Sequence, residues 1–139
     1  MQKSFVVDTS VVMSWCFKDQ ANAYADSILG QLMDATAHVP SVWPLEVVNV
    51  LLAAERRNSI SEADSVHFVN LLSQLPILVQ DEGPERAMKD LLALARAHKL
   101  SSHDASYLDL AMKRGLPLAT LDNKLREAAK TAKLRIFLE

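Results

Sequence analysis

Four acidic residues recur in one kind of place along this chain. Asp8 follows Ser4-Phe5-Val6-Val7, Glu46 follows Trp43-Pro44-Leu45, Asp104 follows Ser101-Ser102-His103, and Asp122 follows Leu118-Ala119-Thr120-Leu121. Each lies just past an apolar run of strand length or in the first turn of a helix. An acid in a first helical turn is most often a capping or dipole residue, and Arg126 at i+4 strengthens that reading for Asp122. Glu46 and Asp104 differ, because neither has a basic residue three or four positions further along its helix. Brought to one edge of a sheet, four carboxylates repel by about 3 kcal/mol per pair at ~5 Å and an effective dielectric near 20. Protonation or a bound cation relieves that repulsion. An all-oxygen set suits Mg²⁺ or Mn²⁺, and the absence of a Cys/His set argues against structural zinc.

The elements that must position these acids follow from periodicity. The helix after Ser101 and Ser102, either of which can cap it, turns Asp104 toward the side of Tyr107, Leu108 and Ala111. Ser106, Asp109 and Lys113 fall on the opposite side, with Asp109 and Lys113 at ion-pair spacing, so only Asp104 is expected to be costly to bury. Short apolar strands are predicted at Ser4–Val7, Ala37–Pro40, Pro76–Val79, Leu118–Leu121 and Leu134–Leu138. Helices are predicted at Val11–Phe17, capped by Thr9 or Ser10, at Ala21–Asp34, from Pro44 to Asn58, and from Ser61 to Gln74. Further helices are expected at Glu85–His98, begun at Pro84, and at Lys124–Lys133. This alternation predicts an α/β fold, a three-layer α/β/α sandwich around a mostly parallel sheet of about five strands. In such sheets ligands gather outside the carboxyl ends of the strands, which is where Asp8 and Asp122 are expected.

Length and composition bound the rest. At 139 residues, one domain over 1–139 is expected, with no linker, repeat or low-complexity segment. The longest uncharged run, Ser65 to Gln80, carries Ser, His, Asn, Gln and Pro and falls short of a membrane span. Asp8 interrupts the first apolar run too early for a signal peptide. The single Cys16 excludes an internal disulfide, and a cytoplasmic setting is expected. Net charge is −2, yet seven of the fifteen basic residues lie between Lys113 and Arg135, where the only acids are Asp122 and Glu127. A locally basic rim beside an acidic centre is one reading of that stretch; a solvated helix face is the other. The four histidines show no paired spacing. A phosphate-binding P-loop, a G-x-S-x-G elbow and a nucleophilic triad are all missing from the sequence.

The segments VVDTSVVMSWCF, PSVWPLEVVNVL, HDASYLDLA and LATLDNKL, in that order, resemble the PIN-domain ribonucleases. The likeness is greatest to the VapC-type toxins of toxin–antitoxin pairs and covers essentially the whole chain. The resemblance implies a PIN-like fold with Asp8, Glu46, Asp104 and Asp122 as catalytic residues holding one or two Mg²⁺ or Mn²⁺ ions. It places Ser10 and Thr120 as supporting hydroxyls and His103 at a position often filled by Tyr, with little expected consequence. Such ions offset charge on the attacking and leaving oxygens of a phosphodiester. The implied activity is metal-dependent endonucleolytic cleavage of RNA. Arg56, Arg57, Lys113, Arg114, Lys124 and Arg126 are candidates for contact with the RNA backbone. The resemblance further implies a cognate antitoxin, a homodimer, and contact with operator DNA only through the antitoxin.

Two other classes compete with this one. A catalytically weak PIN module acting as a regulatory binding subunit with an antitoxin is opposed by the intact set of acids. A phosphoaspartate receiver or HAD-like phosphatase is opposed by Ser10, which stands where the latter needs a second Asp, and by the lack of acids flanking Asp8.

Overall fold

A computed structural model describes residues 3–81 and 83–139, the side chain of Arg86 excepted. Four strands form one parallel sheet in the order β3-β2-β1-β4: β1 Lys3–Val7, β2 Ala35–Pro40, β3 Ile77–Gln80 and β4 Leu118–Ala119. Phe5, Val6 and Val7 of β1 are fully buried, as a strand covered by helices on both faces requires. Among the described residues, seven α-helices flank the sheet in an α/β/α arrangement: α1 Thr9–Cys16, α2 Ala23–Gln31, α3 Trp43–Arg56, α4 Glu62–Ser73, α5 Pro84–His98, α6 Ser102–Arg114 and α7 Asn123–Thr131. One apolar cluster joins the sheet to α1, α3, α6 and α7 through Val12, Val47, Leu108 and Leu125.

The strand order contains the feature that matters for function. From β1 the chain builds outward through β2 to β3, then returns to place β4 on the other side of β1. The crevice at the carboxyl ends of β1 and β4 is therefore a topological switch point. Asp8 directly follows β1, and Asp122 lies three residues past the end of β4.

Several sequence expectations shift. The predicted final strand contracts to one parallel bridge, Ile136 with Leu118, held by Leu118 N–H to Arg135 O and Phe137 N–H to Leu118 O. Left-handed backbone at Lys133 and Leu138 brackets the segment, and the β4 strand it meets is only Leu118–Ala119. The first helix is capped by neither Thr9 nor Ser10: Asp8 occupies the N-cap position, and its side chain does not cap. The second helix starts later, at Ala23, because the Asn22 side chain accepts from Ala25 N–H. Ser61 and Asp64 form a reciprocal capping box at α4, and Ser101 caps α6.

Asp109 forms the expected pair with Lys113 on the side opposite Asp104, but that side is not free of burial, because α5 packs against it and buries Asp109. The Lys113 Nζ sits 2.9 Å from Asp109 and 3.0 Å from Asp90 of α5. These are ion pairs by distance, although Nζ makes no well-formed hydrogen bond.

Candidate metal centre

Asp8 is 5% exposed, and its backbone is fixed from the neighbouring strand by its N–H donating to Ala119 O at 2.9 Å. Its Oδ2 accepts from Ser10 Oγ and from Thr120 Oγ1, both at 2.7 Å. The two hydroxyls are pinned in turn. Leu121 N–H donates to Ser10 Oγ and Asp122 N–H to Thr120 Oγ1, each at 3.0 Å. Thr120 thus ties the acid after β1 to the acid that opens α7. Burial pushes the Asp8 carboxyl up to about 6; the two hydroxyl bonds oppose this, while Asp104 and Glu46 add to it.

Glu46 projects from the first turn of α3, where Pro44 fits because a first-turn N–H has no helical partner. Its Oε1 accepts from Tyr107 Oη at 2.5 Å and from Thr9 Oγ1 at 3.1 Å. Its Oε2 stands 3.6 Å from Nδ1 of His103. Asp104 lies in the first turn of α6, half-buried, with its N–H donating to Ser101 Oγ. Burial raises its pKa, the charges of Asp122 and Glu46 raise it further, and His103 works against them. Asp122 occupies the N-cap of α7, with Oδ1 accepting from Lys124 N–H at 2.9 Å.

The four acids singled out by sequence are therefore coupled through space: Asp8 feels Asp104 and Glu46, and Asp104 feels Asp122 and Glu46. Among the described residues, no three Asp, Glu, His or Cys side chains converge into a ready-made ion shell. One oxygen of Asp8 and one of Glu46 are turned to hydroxyls. That spread still fits a magnesium-type ion, which keeps much of its water and takes one or two direct carboxylates in place of an all-protein cage. The donor set is all oxygen, and the carboxyls of Asp8 and Asp104 are raised first by burial and then by their neighbours' charge, the part that a cation would relieve.

The basic candidates occupy varied positions. Lys124 is exposed two residues after Asp122, and Arg114 donates to Gln80 Oε1 at 2.7 Å. Arg56 and Arg57 lie ten or more residues along from Glu46, about 15 Å by helical rise. Arg57 lines a separate cleft of about 700 Å³ with Trp15, His67 and Phe68. Lys113 is held by Asp109 and Asp90. Arg126, expected to face Asp122, instead donates to Thr120 O and Glu139 and lies over the Tyr24 ring.

Sequence reasoning left out Thr9 and Tyr107 as site residues. The available signal was Tyr107 one turn after Asp104 on the same face, since a buried tyrosine hydroxyl needs a partner.

The PIN domain model matches residues 5–131. Ribonuclease VapC3 from Pyrobaculum aerophilum is 28% identical over 122 residues, covering 88% of this chain and 92% of the relative. The crystal structure of PAE2754 from Pyrobaculum aerophilum is similar with a TM-score of 0.68 and 25% identity, over 92% of this chain and 87% of that one. A chain of VapBC2 from Rickettsia felis, a structure bound to a DNA fragment from their promoter, gives a TM-score of 0.67 over 96% of each chain. At 9% identity that last likeness speaks for the fold alone.

Proposed function

The chain belongs to the PIN-domain family, and from that premise we propose that it is a divalent-metal-dependent endoribonuclease, the toxin of a type II toxin–antitoxin pair. The observation that carries this reading is that Asp8, buried at the end of β1, is tied through Thr120 to Asp122 beyond β4, with the charges of Glu46 and Asp104 acting on it. The ribonuclease name of the relative from Pyrobaculum aerophilum supports the substrate class.

In this reading the four carboxylates hold Mg²⁺ or Mn²⁺, and Ser10 and Thr120 fix which oxygen of Asp8 faces the ion. The bound ion supplies charge neutralisation for the phosphodiester and lowers the pKa of an attacking water. Without it, the acids repel the phosphate. Asp8, buried and locked to two hydroxyls, would serve as a fixed ligand, and half-buried Asp104 would also orient the water. Lys124 is the basic side chain best positioned to meet the RNA backbone, being exposed beside Asp122. The proposed partner is a cognate antitoxin, through which operator DNA is contacted, as the resemblance to VapC-type toxins implies. We propose a homodimer in the cytoplasm. No helix among the described residues is long and apolar enough to cross a membrane.

The test is RNA cleavage by purified protein with Mn²⁺, with chelator, and by Asp104→Asn. Cleavage is expected only with metal, and the substitution should lower it at least 100-fold with an unchanged fold by circular dichroism. Undiminished cleavage by Asp104→Asn at matched metal overturns the assignment. Metal-independent inactivity with tight antitoxin binding points to the regulatory module.

A further inference from the structure

Glu46 is the one acid of the four whose side chain is clamped by groups from two other helices. Tyr107 is fully buried on α6, and its hydroxyl donates to Glu46 Oε1 at 2.5 Å. Thr9, buried at the start of α1, lies 3.1 Å from the same oxygen and 2.6 Å from the Tyr107 oxygen. Each hydroxyl has one proton. With the Tyr107 proton on Glu46, the Thr9 proton goes to Glu46 or to Tyr107, and every arrangement closes on Oε1. Three helices, each carrying or directly following one of the acids Asp8, Glu46 and Asp104, therefore meet at one carboxylate oxygen. The other oxygen, Oε2, is left on the His103 side.

Resting on the metal-centre reading above, we infer that Tyr107, supported by Thr9, is a positioning residue that holds Oε1 of Glu46 and so presents Oε2 to the divalent ion. A glutamate has several rotatable bonds, and unclamped it can swing out of the pocket or offer both oxygens. The clamp turns Oε2 toward the ion. Its position resembles the outer partners that orient metal ligands elsewhere, whose loss costs 10–100-fold in affinity. A purely structural tyrosine hydroxyl needs only some acceptor. This one is shared with a second hydroxyl on an oxygen of a pocket acid.

The experiment measures Mn²⁺ affinity, from the free-ion electron paramagnetic resonance signal, for wild type, Tyr107→Phe, Glu46→Gln and the double variant, all without RNA. Tyr107→Phe is expected to weaken Mn²⁺ about tenfold. In the Glu46→Gln background, which keeps an oxygen acceptor but removes the charge, the same change should have no further effect. Equal affinity of wild type and Tyr107→Phe overturns the inference, as does an equal loss in both backgrounds. A wild type that binds no Mn²⁺ sinks the metal-centre reading itself, a distinct outcome. Should Tyr107→Phe melt at the assay temperature, Thr9→Val and Thr9→Ser decide. Weakening by Val with retention by Ser supports the clamp, and identical affinity in both overturns it.

Discussion

At Asp8, burial and two neighbouring carboxylates outweigh two hydroxyl donors and bring the pKa to about 6. The ordinary aspartate value, taken for the unfolded chain, is 3.8. Between those values the native state holds a proton that the unfolded state has lost, so stability falls as pH rises from about 4 to 6. The difference corresponds to about 3 kcal/mol at neutral pH. Asp8→Asn keeps an oxygen for Ser10 and Thr120 and removes the charge. Without divalent metal, the variant is expected to match wild type near pH 4 and to exceed it by up to about 3 kcal/mol at pH 7.5. Urea denaturation at the two pH values reads this directly, and a pH-independent difference counts against it. The same variant should lose RNA cleavage, making it more stable and inactive, the trade expected where a site is built against local stability.

Helix α6 delivers Asp104 and Tyr107 to the pocket, and Lys113 near its end links it to Asp90 of α5. Burial pulls the Lys113 ammonium down, but Asp109 and Asp90 outweigh it and hold its pKa above the usual lysine value. Removing one partner of an enclosed pair leaves an uncompensated charge, which is worse than having neither. Lys113→Met is expected to destabilise the fold by about 2–3 kcal/mol, and adding Asp109→Asn should recover most of it. Thermal melts of the single and double variants measure this; an unchanged midpoint in Lys113→Met argues that the pair is slack. At this scale the sequence was legible where the signal was local. The apolar run before Asp8, Pro44 at the start of α3 and the serine pair before α6, of which Ser101 is the cap, place their elements correctly. It was illegible where a distant element decides. Burial of Asp109 depends on α5 covering it, and the Glu46–Tyr107 bond joins residues 61 apart. The final strand contracts between Lys133 and Leu138, whose positive φ is a backbone feature not written in residue type.

For the molecule as a whole, the net charge of −2 hides a division between an acidic pocket and basic α7 at its edge. Mn²⁺ that binds the folded pocket and not the unfolded chain stabilises the protein by about 2.7 kcal/mol at 100 times its Kd. For a domain of this size that shifts the melting midpoint upward by roughly 5–10 °C. The shift is expected in wild type and absent in Asp104→Asn. The polyanion should be read at the rim by charge alone. Each phosphate contact removed lowers the slope of log affinity against log salt by about 1. Lys124→Ala, measured with catalysis blocked by Ca²⁺ in place of Mn²⁺, is therefore expected to weaken RNA binding uniformly across sequences and to flatten that slope by about one. Arg126→Ala should lower the melting midpoint, since its guanidinium is already engaged by Thr120 O, Glu139 and the Tyr24 ring, and should leave the slope unchanged. If the two variants exchange these behaviours, the RNA path runs over the Tyr24 side of α7 and not past the mouth of the acidic pocket.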